Sequence, residues 1–85
     1  MVKFAIAKQL AGKRIITTDG EELGRVLDLY ISEATGKIES VLVEPNPDST
    51  LAQRLGEKGT EALLPYSAVL DVKDVMVIDR RGLDL

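Results

Sequence analysis

Asp28 raises the first chemical question, because its carboxylate stands in the middle of an apolar run, 22-ELGRVLDLYI-31. The side chain could serve as a general acid or base, or it could be a structural group. Acid–base catalysis in a hydrolase needs a second carboxylate or a histidine at a fixed distance, and no such partner is marked by spacing. We therefore predict that Asp28 accepts backbone N–H groups from a neighbouring turn and holds its strand in register.

The chain contains no histidine and no cysteine among its 85 residues. This removes imidazole and thiolate metal ligands, disulfides and cysteine nucleophiles. The scattered carboxylates Glu44, Asp71, Asp74 and Asp79 do not follow the order of a calcium-binding EF-hand loop. We predict no catalytic residue, no cofactor and no metal site, and we interpret these carboxylates as a solvated surface.

The glycines do not form a phosphate-binding loop, since the chain has neither the dinucleotide-binding GxGxxG pattern nor a P-loop pattern. Gly20 and Gly36 lie in turn sequences, where a positive φ is needed. Gly24 is expected at a bulge or a tight bend in a barrel wall. All three glycines are interpreted as structural.

The formal net charge of −3 argues against nucleic acid as a partner, because phosphate binding rests on clustered lysine and arginine. Residues 1–14 nevertheless carry several basic residues and no acid. Such an arm can meet an anionic surface, but a solvated lead-in over residues 1–11 is the simpler interpretation. No run approaches the ~20 apolar residues of a membrane span, and the opening lacks the apolar core of a signal peptide. We expect no membrane insertion and a cytoplasmic location.

Turn signals divide the first half of the chain into three short strands. The turns lie at Asp19-Gly20, a strong hairpin signal, and around Gly36. The three strands span residues 13–18, 23–32 and 37–44.

Alternation along the second strand assigns its side chains to two faces. Leu27, Leu29 and Ile31 share one face, and Val26, Asp28 and Tyr30 share the other. Tyr30 is either an interface aromatic or a barrel filler, and Tyr66 has the same two interpretations.

Residues 45–60 form a connection that exceeds the ~12–15 residues usual for a loop within a compact domain. Thr50 and Gln53 have the spacing of a capping box, and Gly56 could end a helix. The sequence therefore predicts either a long loop or a short helix here.

The second half of the chain returns to strands. Pro65 ends the first of them, because proline cannot donate to a ladder. The predicted elements are a strand over 61–65, a corner at 66–68, and a final hairpin of 69–72 and 75–79 that turns at Lys73-Asp74. Residues 80–85 are expected to be a loose tail.

Consecutive hairpins without a long amphipathic helix indicate an all-β, antiparallel fold of six strands. Closing them into a small barrel removes exposed edges, and residues 12–79 supply this barrel within a single domain spanning 1–85. Leu51 and Leu55, beside Arg54, either dock in a partner's groove or cap one open end of the barrel. An exposed edge of the third strand or of the last hairpin offers a second docking mode, by strand addition.

Two stretches, residues 12–44 and 64–79, resemble the PRC-barrel family. The matching motifs are 12-GKRI-15, 19-DGEELGRVLD-28, 35-TGKI-38 and 64-LPY-66. The resemblance implies a β-barrel related to the barrels of the reaction-centre H subunit and of the ribosome-maturation factor RimM. Its stand-alone form is typical of archaea.

The resemblance also implies a function. Stand-alone PRC-barrel proteins similar to this one act as adaptors in archaeal cell division, around the FtsZ ring and its membrane anchor SepF. We accordingly expect a non-enzymatic protein–protein adaptor that forms a homodimer and binds a SepF-like anchor or another PRC-barrel protein. A module of ribosome maturation, similar to the RimM barrel, is the alternative.

Overall fold

A computed structural model describes residues 9–55 and 62–83 of the chain. In chain order this part contains β1 (Arg14–Thr17), β2 (Glu22–Ile31), β3 (Ile38–Pro45), α1 (Thr50–Leu55), β4 (Ala62–Pro65), a 3-10 turn (Tyr66–Ala68), β5 (Val69–Val72), β6 (Val75–Ile78) and a second 3-10 turn (Arg80–Gly82). The prediction of a mostly β fold with a short helix within 45–60 is confirmed. The expectations for residues 1–8 and for Gly56 lie outside the described residues.

The strands form one sheet in the order β4-β3-β2-β1-β6-β5. All neighbouring pairs are antiparallel except β1 and β6, which run parallel with Arg14 opposite Val75 and Thr17 opposite Ile78. The prediction of a purely antiparallel sheet is wrong at this pair. Turn sequences specify only strands that follow each other along the chain, whereas β1 and β6 are the first and last of the six strands.

The two end strands of the sheet are β4 and β5, and within the described residues no ladder joins them. The 3-10 turn Tyr66–Ala68 instead carries the chain from the end of β4 directly into β5. Pro65 is the last residue of β4, as predicted. The predicted closed barrel is therefore corrected to an unclosed six-stranded sheet whose end strands are linked by this turn.

A bulge in β2 changes the face assignment. The register with β3 shifts between Val26 and Asp28, so that Leu27 is the extra residue. Val26 and Leu29 are both buried, whereas Leu27 is 41% exposed. The predicted groupings of Leu27 with Leu29 and of Val26 with Asp28 are wrong, because one inserted residue reverses the period-two alternation.

The core lies on the inner face of the sheet. Its fully buried side chains include Ile15, Leu23, Val41, Val43, Leu64, Met76 and Ile78. Leu51 of α1 joins this cluster at 1% exposure, and Leu55 packs partly against it. The short helix thus covers one part of the core. Within residues 9–55 and 62–83, no helix has the length and apolar character to cross a membrane.

Ser49 caps the N-terminus of α1. Its Oγ accepts the N–H of Ala52 at 3.1 Å, and its carbonyl accepts the N–H of Gln53 at 3.1 Å. Serine satisfies in this way N–H groups that have no partner within the helix. The N-cap is therefore Ser49 and not Thr50, and the predicted capping box of Thr50 and Gln53 is wrong, because the residue three positions after Ser49 is Ala52, which has no polar side chain.

The segment after β6 packs against the rest of the molecule at residues 80–83. The Asp79 carboxylate accepts the N–H of Arg81 at 3.0 Å and so caps the second 3-10 turn. Leu83 then returns to the core with 5% exposure. The expectation of a loose tail is wrong for residues 80–83, because buried apolar surface and a capped turn tie this segment down.

Candidate functional site

Asp28 lies on the surface, next to the bulge of β2. Its Oδ1 accepts the backbone N–H of Leu29 at 2.8 Å. The predicted contact with a neighbouring turn is wrong, because the donor is the backbone N–H of the next residue. Asp28 therefore does not act as a buried strut between two elements.

The strand register brings Asp28 together with an apolar group. Asp28 lies opposite Leu42 of β3, and Leu42 lies opposite Leu63 of β4. Two residues further along β2, Tyr30 lies opposite Ser40 of β3, and Ser40 lies opposite Pro65 of β4. We call the surface formed by Asp28, Tyr30, Leu42, Leu63 and Pro65 the outer face.

Burial shows that these side chains point away from the core. Val41 and Leu64, which alternate with the outer residues, are fully buried, whereas Leu63 is 54% exposed and Tyr30 is 50% exposed. Single exposed apolar side chains are common on proteins, but contiguous ones mark sites of interaction. The outer face is therefore the candidate functional site.

The two predicted aromatic candidates differ. Tyr30 belongs to the exposed outer face, whereas Tyr66 is partly buried and packs against the core. The structure thus places Tyr30 on the surface and Tyr66 in a filler position, and contact of Tyr30 with a partner stays a prediction.

Sequence reasoning missed Leu42 and Leu63. In 61-EALLP-65, Ala62 and Leu64 occupy the inner face, so Leu63 adds an apolar residue to the outer face of a strand at the end of the sheet. Apolar residues on both faces of such a strand are a signal that the solvent side is covered by something else.

The predicted docking candidates of α1 lie apart from the outer face. Leu51 is buried within this chain, which supports the interpretation that it caps the core. Arg54 is exposed and lines a cavity of about 510 Å³ together with Leu51, Arg80, Arg81 and Leu83. Whether Arg54 or Leu55 contacts a partner stays a prediction.

Glu21 connects three segments at the end of the molecule where α1 begins. Its Oε2 accepts the hydroxyl of Ser49 at 2.5 Å and the N–H of Leu51 at 3.3 Å. Its Oε1 lies 3.8 Å from Arg80, which also forms a 2.6 Å ion pair with Asp19. The β1–β2 turn, the start of α1 and the last 3-10 turn are tied together in this way.

Neighbouring side chains at this end favour the ionised form of two carboxylates, those of Asp19 and Asp79. The Thr17 hydroxyl and the Arg80 guanidinium lower the pKa of Asp19. Arg81 lowers the pKa of Asp79, and Asp79 in turn raises the pKa of Arg81. A general acid near neutral pH requires a raised carboxyl pKa, so these groups are suited to structural pairing. In the described part of the chain, no three carboxylates are grouped to hold a metal ion.

The glycines have the structural positions that the sequence predicts. Gly20 and Gly36 adopt φ values of 91° and 75° in their turns. Gly24 lies at the β1–β2 register shift, and a Cβ atom on it would stand 2.0 Å from the carbonyl oxygen of Glu44. The close approach of β2 and β3 therefore requires glycine at this position.

Comparison with known proteins agrees with this architecture. An uncharacterized protein of Methanocaldococcus jannaschii is 37% identical over 78 residues, which cover 92% of this chain and 84% of that protein. A solved structure from Pseudomonas aeruginosa, described as the 16S ribosomal RNA processing protein RimM, aligns with a TM-score of 0.59 and 26% identity. The match covers 85% of this chain but only 41% of the RimM chain. The family model of the PRC-barrel domain matches residues 4–85, and the chain belongs to that family.

Proposed function

We propose that this protein is a non-enzymatic adaptor that holds a protein partner on its outer face. The observation that supports the proposal is the exposure of Tyr30 and Leu63 beside Leu42 on three adjacent strands. Burial of such side chains by a partner is favourable by about 25 cal/mol per Å² of apolar area. Tyrosine is enriched among the residues that dominate the binding energy of interfaces, and neighbouring apolar side chains such as Leu42 and Leu63 exclude water around it.

The composition favours an adaptor over an enzyme. The 85 residues include neither histidine nor cysteine. The described carboxylates with shifted pKa values, Asp19 and Asp79, are shifted downward by paired side chains. These features suit surface recognition better than proton transfer.

The proposal extends to archaeal cell division. The likeness to stand-alone PRC-barrel adaptors points to a complex built around FtsZ, in which this chain binds a SepF-like anchor or a second PRC-barrel copy. The similarity to a protein of Methanocaldococcus jannaschii agrees with an archaeal setting. The support is analogy within a family, because the same fold serves several tasks.

Ribosome maturation is the second candidate, and the RimM similarity favours it. This chain spans 41% of the RimM chain, so that protein's activity cannot be carried over as a whole. The net charge of −3 favours a ribosomal protein over RNA as the contact in this case.

Affinity capture from native extract tests the adaptor proposal with two matched variants. Leu63→Asp places a charge on the outer face, whereas Leu70→Asp makes the same change at a leucine of β5 that is 57% exposed. We expect a defined partner to be captured by the wild type and by Leu70→Asp, and to be lost with Leu63→Asp. The identity of the partner separates a division anchor from a ribosomal protein.

Equal capture by all three proteins would refute the outer face as the docking surface. Turnover of a substrate by the purified wild type would refute the non-enzymatic assignment. Equal melting temperatures of both variants serve as the control for intact folding, since exposed substitutions usually change stability little.

A further inference from the structure

We propose that Asp28 selects the partner of the outer face by charge, so that the docked segment is short, cationic and apolar. This inference rests on the proposed function and adds the chemistry of the partner. It assigns to Asp28 a role in recognition in place of the structural role that the sequence indicates.

The position of Asp28 carries the inference. Its carboxylate stands in one row with Leu42 and Leu63, so a segment that covers the two leucines also passes the carboxylate. Among the described residues, this carboxylate accepts one hydrogen bond, at Oδ1, from the N–H of Leu29. The ion pairs of the described residues join other side chains, and none of them includes Asp28. A lysine or arginine of a partner would pair with this exposed carboxylate.

Tyr30 reinforces the same preference. It follows Asp28 by two residues on β2 and shares the outer face, with half of its surface exposed. A cation next to the Asp28 carboxylate can also lie against the face of this ring. Apolar side chains of the same segment would cover Leu42 and Leu63.

The size of the outer face favours a short segment over a second copy of the chain. Three strands about 4.8 Å apart and three residues of about 3.3 Å rise span roughly 14 by 10 Å. A stable interface buries about 800 Å² on each partner, several times that area. A two-fold pairing of this face would also bring the Asp28 carboxylates of two copies onto one small surface.

The test measures the binding of two acetylated hexapeptides, one alternating valine with lysine and the other valine with glutamate. Fluorescence anisotropy is recorded with the wild type, Asp28→Lys and Leu63→Asp. Asp71→Lys is the matched control, because Asp71 is also an exposed carboxylate beside a bulge and accepts the N–H of the next residue at 2.9 Å.

We expect the wild type to prefer the lysine peptide and Asp28→Lys to prefer the glutamate peptide. Each single charge change should alter affinity about two- to fivefold, the range of exposed ion pairs, and the difference should shrink at high salt. Asp71→Lys should keep the preference of the wild type. Leu63→Asp should weaken the binding of both peptides through the lost apolar contact, and more strongly for the glutamate peptide, which the added carboxylate repels.

The outcomes separate the two proposals. Equal effects of Asp28→Lys and Asp71→Lys would show a general charge effect and overturn the role of Asp28. If Leu63→Asp abolishes binding while Asp28→Lys leaves the preference unchanged, the outer face stands as a docking surface and the charge inference fails. If neither Asp28→Lys nor Leu63→Asp changes peptide binding, the outer face as a docking surface and the charge inference both fail. A stable dimer that dissociates with Leu63→Asp would replace the peptide by a second copy.

Discussion

The Ser49 hydroxyl donates a hydrogen bond of 2.5 Å to the Glu21 carboxylate, 28 residues earlier in the chain. The same Ser49 oxygen accepts the N–H of Ala52 and starts α1. Glu21 therefore anchors α1, the helix that covers the core, through the residue that caps it. The stability of this end of the molecule depends on a contact between one turn and one helix terminus.

Ser49→Ala removes both hydrogen bonds of the hydroxyl, the one that it donates to Glu21 and the one that it accepts from the N–H of Ala52. We expect the free energy of unfolding to fall by about 1–2 kcal/mol, since the helix loses its cap and Glu21 loses a donor. Thr50→Ala is the control, because Thr50 is exposed and follows the cap. Urea denaturation measures both. A larger loss with Thr50→Ala than with Ser49→Ala would contradict the assignment of the cap.

Leu51→Ala tests whether α1 is part of the core. Leu51 is 1% exposed, so its truncation should cost about 2–5 kcal/mol from lost burial and the cavity left behind. Leu55→Ala should cost less, because Leu55 is only partly buried. Thermal unfolding followed by circular dichroism gives the comparison. Equal, small losses would mean that the helix does not cover the core.

Gly24→Ala should be far more damaging than Gly36→Ala. An alanine Cβ at position 24 would meet the carbonyl oxygen of Glu44 at 2.0 Å, so β2 and β3 must separate. At Gly36 nothing lies within 4 Å, and the cost is about 1 kcal/mol for a positive φ. Denaturation midpoints decide the matter, and similar midpoints for the two variants would refute the close approach.

Asp19 should contribute to the pH dependence of stability. The Thr17 hydroxyl and Arg80 lower its folded pKa below the ordinary 3.8. Its contribution is therefore present above that ordinary value and is lost as the pH falls through the lower folded pKa. Asp19→Asn should flatten the acid side of a plot of melting temperature against pH. An unchanged acid side would show that the contact with Thr17 and Arg80 does not persist in solution.

Asp28→Ala should have only a small effect on stability. Its carboxylate is exposed and accepts a single local N–H, so we expect a loss below about 1 kcal/mol. A buried strut would cost several times more. Guanidinium denaturation distinguishes the two, and a loss of 3 kcal/mol or more, roughly the figure for a buried network, would restore the strut.

The local features of the fold could be predicted from the sequence. Asp19-Gly20, Gly36 and Pro65 each act through the conformation of their own backbone, so their positions in the chain identify the turns and the strand end. Family motifs extended this to the number of strands and the family of the domain. The non-local features could not be predicted, because nothing in Arg14–Thr17 indicates that its second neighbour is Val75–Ile78.

Only part of the candidate site could be predicted from the sequence. Tyr30 could be named from its residue type, but Leu42 and Leu63 become its neighbours only through the register of three strands. The bulge at Leu27 also places residues on the face of the sheet opposite to the one that simple alternation predicts. Register and bulges depend on packing between strands, which a single sequence does not display.

The parallel contact between β1 and β6 determines when a newly made chain can finish folding. β1 leaves the ribosome before the other five strands, and its neighbour β6 leaves last. During most of translation one edge of β1 has no partner, although its hairpin with β2 can already form. Such an edge can recruit a strand from another nascent chain. Crowded polysomes should therefore be the setting in which this small protein is most prone to aggregate.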